Sequence, residues 1–507
     1  MRVGAIFVYV DYNRRGERSR GLLQPQIGAL IAALLPSDVE IDVINETWDG
    51  PDWGKAYDLL FITCAHSDFD RARQVSHYWR RRGAKTVFGG PFASTYPELC
   101  APFFDAICIG DAEATVPEVY ADFCRGSLKP LYRGTAFDPL RVPVPRLDLI
   151  ADKQRLPLSI EITRGCPFSC EFCVLTGMGT RFHTRPIELV LRDLQEGRAL
   201  LKGRVPEYLL AIAAFWDNNL GGNLTYLHRL CEALAKRHYW WGSSITFNAL
   251  SDESVVKALS RAGCRFMFVG LESFNAGTIA SMRKHQNKVD KVRYLFDNCR
   301  KHGILVMSGL MLSPTTDTIG YVESIRRHVR DAGLHLPTYI CFECPIPGTP
   351  YFHSLAADSD RPRFLANALL RDFTGYTLVV RPEHHAASEF VGAYKQLLDD
   401  IYTPRARLRK LWTDIPSLLA RGYWDTAIVD LVQNTGTFQR RPHPARTYLP
   451  GTDVPPPEMR TVPLTDADFA SDDERRAVMD PWVVTDGEGR VLPQWRASAR
   501  VHARVAV

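Results

Sequence analysis

Over roughly the first 135 residues, short apolar runs alternate with stretches of helical spacing. Val3 to Val10 reads as a strand and Gln24 to Leu35 as a helix. Glu40 to Ile44 and Leu59 to Thr63 read as strands, followed by a helix from Asp68 to Arg82. Thr86 to Phe88 and Ala106 to Ile109 complete the series, each running into glycine: Gly89-Gly90-Pro91 and Gly110-Asp111. Such an alternation predicts a parallel, doubly wound sheet. Ligands of these sheets lie beyond the carboxyl ends of the strands, where Asp11, His66, Gly89, Gly90 and Gly110 fall. Glycine at that edge lets a flat, bulky ligand approach the backbone.

A proline-punctuated linker, Pro139 to Pro157, precedes a second alternation. Ser159–Thr163, Leu209–Phe215, Ser244–Asn248, Phe266–Leu271, Leu305–Leu310 and Tyr339–Cys344 read as six strands. Helical stretches lie between them, such as Pro186 to Leu201, Leu224 to Lys236 and Thr316 to Ala332. Six βα units are too few to close an eight-stranded barrel, so a partial (β/α)6 TIM barrel is expected, with functional residues at the carboxyl ends of its strands. Ser388 to Tyr402, Leu408 to Leu419 and Trp424 to Val432 then look helical. From Arg440 the chain is rich in Pro, Arg and Asp and reads as an extended tail wrapping on the barrel mouth, with Trp482 and Trp495 as anchors. The expected division is 1–138 for the first sheet, 139–157 for the linker, 158–355 for the barrel and 356–507 for a mostly helical extension.

With 46% hydrophobic and 23% charged residues, the 507-residue composition is that of a globular protein. A net charge of +5 over this length is weak, and Arg80-Arg81-Arg82 suits the basic end of a helix, so no nucleic-acid partner is expected. Twelve cysteines without a signal peptide predict free thiols in a reducing cytoplasm. The longest apolar stretch, Ile27 to Leu35, is too short to span a bilayer.

Chemistry concentrates in Thr163-Arg-Gly-Cys166-Pro-Phe-Ser-Cys170-Glu-Phe-Cys173. Three thiolates in one loop can hold three corners of a cubane iron–sulfur cluster and leave its fourth iron open. Electron-carrying clusters normally take four cysteines, so the open corner is built to bind something. A zinc half-site would want a fourth Cys or His at matching spacing; only His183 is near, and no second C-x2-C follows. Cys341 and Cys344 do form a C-x2-C, but residues three apart on a strand face opposite ways, so buried thiols are expected there.

The C-x3-C-x2-C loop after an apolar strand resembles the radical S-adenosylmethionine (radical SAM) enzymes. The strand-end turns Trp216-Asp217-Asn218-Asn219, Gly270-Leu-Glu272-Ser273 and Pro347-Gly348-Thr349-Pro350 resemble motifs of their cobalamin-dependent subgroup. The first half, with Gly89-Gly90-Pro91, Pro97-Glu98 and Gly110-Asp111-Ala112-Glu113, resembles that subgroup's cobalamin-binding domain. Glu389 to Tyr394 and Asp400 to Pro404 loosely resemble the helical extension of the hopanoid methylase-like branch.

The resemblance implies a [4Fe–4S] cluster on Cys166, Cys170 and Cys173, and SAM contacts from Phe172, Asp217, Asn248 and Glu272. It implies cobalamin contacts from Asp11, Thr63, His66, Ser67, Gly89, Gly90, Pro91, Gly110 and Glu113. The Asp-x-His-x-x-Gly motif that gives many cobalamin proteins a histidine ligand to cobalt is absent; His66 is the nearest histidine, and a capping role would suit it equally. The implied activity is radical C-methylation of an unactivated carbon in a natural-product or lipid-like small molecule, with electrons from a donor such as flavodoxin or ferredoxin. Cyclisation, rearrangement or polar methyl transfer on the same machinery is one alternative, and a non-catalytic iron–sulfur scaffold is another.

Overall fold

The computed structural model describes residues 1–10, 25–134, 137–334, 336–358, 361–436, 447–451 and 461–496. The first sheet is parallel throughout, in the order β2-β1-β3-β4-β5-β6. Its strands are β1 (Arg2–Val8), β2 (Glu40–Asn45), β3 (Leu59–Cys64), β4 (Lys85–Gly89), β5 (Ala106–Ile109) and β6 (Leu131–Arg133). Every residue of β3 is buried, because helices cover both faces of a parallel sheet. The strand order reverses between β1 and β3, which opens a crevice at their carboxyl ends. Helices α1 (Ile27–Leu34), α2 (Phe69–Arg80) and α3 (Ala112–Cys124) pack on this sheet. β6 was not expected: three residues with only Tyr132 buried carry too little apolar pattern to announce a strand.

The second sheet runs β14-β13-β12-β11-β10-β7, parallel and in sequence order, the arc of a partial (β/α)6 barrel. It comprises β7 (Leu158–Ile160), β10 (Ile212–Phe215), β11 (Trp240–Ser244), β12 (Cys264–Glu272), β13 (Leu305–Leu312) and β14 (Tyr339–Phe342). Between β7 and β10, β8 (Thr163–Arg164) pairs antiparallel with β9 (His183–Thr184). Around the arc lie α4 (Ile187–Leu201), α5 (Leu224–Leu234), α6 (Glu253–Arg261), α7 (Val292–Lys301) and α8 (Ile319–Asp331).

Three expectations shift. The second barrel strand starts at Ile212 rather than Leu209, because Glu207–Ala211 form a 3-10 turn after Pro206. The first barrel strand does not run unbroken to Thr163; it ends at Ile160 and the chain re-pairs as β8. The third lies at Trp240–Ser244 rather than Ser244–Asn248. Trp241 is fully buried, and the missing side chain of Gly242 makes room for the Phe266 ring. The alternating Ile245 and Phe247 are buried instead by a helical turn, Phe247–Leu250.

The extension begins with α9 (Ala387–Ile401), which packs on α8 and donates from Tyr394 Oη to the Ile340 carbonyl at 2.8 Å. Helices α10 (Pro404–Ala420) and α11 (Trp424–Gly436) pair with each other and floor the barrel at the amino ends of β11 to β13. There Trp424 meets Trp240 with ring centroids 5.3 Å apart, Asp425 pairs with Arg265, and Thr426 Oγ1 donates to the Gly303 carbonyl at 2.6 Å.

The described tail divides: Tyr448 packs on Tyr394 of α9, ring centroids 5.3 Å apart, while the longer part is on the first sheet rather than at the barrel mouth. Residues 461–496 lie on the outer side of the first sheet, with α12 (Asp472–Met479) against α2. Trp482 and Trp495 do anchor it, Trp482 on Phe69 at 4.9 Å and Trp495 on Tyr96 at 5.4 Å. Buried Arg73 on α2 donates to the Asp480 carbonyl at 2.9 Å, and an exposed aromatic face is thereby covered by aromatic partners. Among the described residues no helix is long and apolar enough to cross a membrane.

Candidate active site at two facing sheet edges

The β8–β9 ladder clips together the ends of a loop, 165–182, that carries Cys166, Cys170 and Cys173. Gly165 takes a φ of +81°, and a side chain there would collide with the Arg181 carbonyl, so the clip requires glycine. The loop is tied down at its far side. Glu171 N donates to the Met282 carbonyl at 3.2 Å, and the Glu171 carbonyl accepts from Tyr351 N at 3.0 Å. Gly177 lies against the Gly348 carbonyl, so the loop rests directly on the Pro347-Gly348-Thr349-Pro350 turn.

Two side-chain amides point at sulfur: Asn219 Nδ2 donates to Cys166 Sγ at 3.5 Å and Gln286 Nε2 to Cys170 Sγ at 3.6 Å. Burial pushes all three thiols up, and the nearby Lys284 ammonium pulls against it. A metal that takes them as thiolates would offset that penalty. Among the described residues no group of three or more His, Cys, Asp or Glu is placed to hold a metal ion. A four-iron cube spreads its cysteines over separate corners, wider than the single shell that one zinc demands. Three thiols on one pinned loop, two of them receiving N–H donors, fit the cube's donor set.

Glu272 ends β12 in the left-handed region, φ +66°, where the pairing with β13 slips. That conformation costs a non-glycine residue about 1–2 kcal/mol. It folds the carboxylate back over Gly270, where it pairs with Lys284, both residues being buried. Asn287 Nδ2 fixes the turn by donating to the Gly270 and Leu271 carbonyls at 2.9 and 2.8 Å. Lys284 Nζ also stands 5.6 Å from the centre of the Phe172 ring. Phe172 and Glu272 are therefore brought together beside the thiols, with a lysine that no spacing pattern singled out. Asn248 lines a neighbouring open pocket of about 460 Å³ with Phe168 and Gln286.

Asp217 does something else. It is buried and accepts from Ile162 N at 3.1 Å, from Thr163 N and Oγ1, and from Ser243 Oγ at 2.8 Å. Burial, only partly answered by those bonds, pushes its carboxyl up to about 6. It braces the root of the cysteine loop, with three donors on Oδ1 and Ser243 on Oδ2. Cys341 and Cys344 fall into separate apolar clusters, as alternation along the strand expects.

At the edge of the first sheet, a slot of about 200 Å³ opens between the strands and helices α1 and α3. Thr63, Gly89, Gly90, Gly110 and Glu113 line it. Gly90 takes a φ of +109°, and a Cβ there would stand 2.7 Å from Thr63 Oγ1. Pro91, which starts a short helix, and Ser67 do not line the slot. Neither does His66: its Nε2 lies 2.6 Å from the Phe373 carbonyl, and burial lowers its pKa to about 4. Asp11 lies outside the described residues.

Arg164 joins the two edges. It reaches from β8 into the slot wall, donating to Asp111 at 2.7 Å and Glu113 at 2.8 Å, and holds Glu161 at 2.6 Å. Its guanidinium lies 4.1 Å from the Phe137 ring centre. A lone arginine in a Thr-Arg-Gly run gave no sign of this reach.

Fold and site together define a partial-barrel protein with an iron–sulfur-type cysteine loop facing a doubly wound domain. Residues 160–329 match the radical SAM superfamily, a class that works with a [4Fe–4S] cluster and SAM, and the chain is an enzyme with a radical SAM domain. It is 26% identical over 340 residues to bacteriochlorophyllide d C-8(2)-methyltransferase of Chlorobaculum tepidum, covering 64% of this chain and 74% of that protein. It is 23% identical over 352 residues to hopanoid C-2 methylase of Rhodopseudomonas palustris, covering 66% and 64%. The radical SAM methyltransferase TsrM of Kitasatospora setae, solved with cobalamin and a [4Fe–4S] cluster, shares the fold with a TM-score of 0.59 at 16% identity, over 85% of this chain and 99% of that one.

Proposed function

We propose that this chain is a cobalamin-dependent radical SAM C-methyltransferase acting on an apolar natural product or lipid-like molecule. The observation that carries the reading is the Arg164 bridge, which sets the glycine-edged slot of the first sheet directly against the cysteine loop of the second. Methylases of a bacteriochlorophyllide and of a hopanoid among the relatives support the substrate class.

In this reading Cys166, Cys170 and Cys173 hold the cluster, with Asn219 and Gln286 donating to two of the sulfurs. When bound, the cluster and corrin supply the electron for SAM cleavage and the carrier for the methyl group. Glu272 and Lys284 offer one negative and one positive group side by side, the complement of an amino-acid zwitterion, and Phe172 offers a flat apolar face. Asn248 adds a polar contact at the rim. Thr63, Gly89, Gly90 and Gly110 would hold cobalamin at this edge, and no histidine is among the described residues lining the slot. The protein's share of the catalysis is to hold three reactants in register and away from water. A flavodoxin or ferredoxin serves as electron donor in a reducing cytoplasm, where all twelve cysteines stay unpaired.

Anaerobic turnover with a methyl-labelled SAM tests this. The reading expects 5′-deoxyadenosine and S-adenosylhomocysteine together, with label in the product. S-adenosylhomocysteine alone means polar methyl transfer; 5′-deoxyadenosine with unlabelled product means cyclisation or rearrangement. Purified protein without a corrin absorbance after reconstitution ends the cobalamin assignment.

A further inference from the structure

Helices α10 and α11 invert the usual polarity of a surface element. Their charged residues Lys410, Asp414, Asp425 and Asp430 are buried against the barrel floor, while Leu408, Trp412, Leu419, Trp424, Ile428 and Leu431 are exposed, Trp412 by 86%. The exposed positions recur at helical spacing, 408-412-419 and 424-428-431, so each helix turns one apolar stripe outward. The inward charges are spent on the protein: Lys410 pairs with Asp430 and stands 3.5 Å from Asp414, Arg300 holds Asp414 at 3.2 Å, and Arg265 holds Asp425.

All three carboxylates of the pair are thus turned inward, and the exposed charges on the outside are Arg405, Arg409 and Arg421. A second copy of the chain is a poor occupant, because a two-fold contact would set arginine against arginine with no acid to answer it. A nucleic acid has no use for two aliphatic and aromatic stripes. An anionic phospholipid surface answers both features: phosphates for the arginines, and the headgroup–acyl boundary for tryptophan and leucine.

We propose that the α10–α11 pair docks this protein on anionic phospholipid membranes. The pair lies at the amino ends of the barrel strands, the end opposite the cysteine loop, so docking leaves the catalytic edge unobstructed and stands apart from the function proposed above.

Co-sedimentation of the full chain with vesicles of equal parts phosphatidylcholine and phosphatidylglycerol tests the proposal, with pure phosphatidylcholine as control. Binding to the mixed vesicles is expected, weakening as salt rises. R405Q/R409Q should weaken it about five-fold per arginine, and W412E by about tenfold. Both variants alter exposed side chains and should melt like the wild type; the arginine variant keeps the test open if W412E does not fold. Absence of sedimentation, or equal binding to both vesicles unmoved by the variants, overturns the proposal. So does a concentration-dependent dimer that W412E disperses while vesicles go unbound.

Discussion

Arg164 Nη2 stands 2.8 Å from Glu113 Oε1, an ion pair that crosses from β8, at the root of the cysteine loop, to the first turn of a helix on the other sheet. The same guanidinium holds Asp111 and Glu161, so its removal strands three carboxylates at a half-buried seam. Arg164→Gln should cost about 3 kcal/mol, the scale for breaking a buried pair from one side. Urea unfolding measures it, and a loss under about 1 kcal/mol would mean that water already screens the cluster. If the seam positions the slot as proposed, corrin retention should fall in the same variant.

The Glu272–Lys284 pair invites a double-mutant cycle. Either Glu272→Gln or Lys284→Met leaves one buried charge alone and should cost roughly 3–5 kcal/mol, while the double variant should recover much of it. SAM affinity, read by equilibrium dialysis, should be lost in all three. Retention of SAM by the double variant would assign the pair to architecture alone.

Asn219 and Gln286 should tune the redox chemistry of whatever Cys166 and Cys170 hold. N–H donors to sulfur stabilise the more negative, reduced state. Asn219→Ala and Gln286→Ala should therefore make the reconstituted cluster harder to reduce, seen as a lower midpoint in a dye-mediated titration. An unchanged midpoint in both would place the amides elsewhere once the cluster is seated.

Glu343, just past β14, gives a pH dependence with a definite sign. Burial pushes its carboxyl up to about 7 from an ordinary value of 4.5, despite the 2.6 Å bond from Ser313 Oγ. Between those values the folded protein keeps a proton that the unfolded chain gives up. Its contribution to stability is complete below pH 4.5 and is lost as pH rises through 7, by about 3 kcal/mol in all. Glu343→Gln should flatten that part of the profile and be the more stable protein at pH 8. Parallel profiles for the two proteins would show that Glu343 is ionised throughout.

The sheet architecture was legible because parallel strands buried on both faces must be continuous apolar runs, and β1, β3, β5 and β13 are such runs. β11 escaped because its Gly242 and Ser243 are dictated by a neighbour's ring and by Asp217, while Ile245 and Phe247 imitate a strand next door. The cysteine loop was legible because its chemistry is local in sequence. Arg164 and Lys284 were not, since a charged side chain discloses its role only when its partners, 51 and 12 residues distant, are in place. Asp217 shows the reverse: a strand-end aspartate looks like a ligand, and only the fold discloses the backbone and hydroxyl donors it also holds. The tail misled because its tryptophans indicate that it docks but not where.

The apolar cluster beneath the first sheet contains Ile6 and Phe69 from that sheet's own layers, Phe352 and Phe373 from beyond the barrel, and Trp495 from near the end of the chain. Segments hundreds of residues apart share this one interior. With both ends of the chain stitched into that interior, neither half should survive being expressed alone.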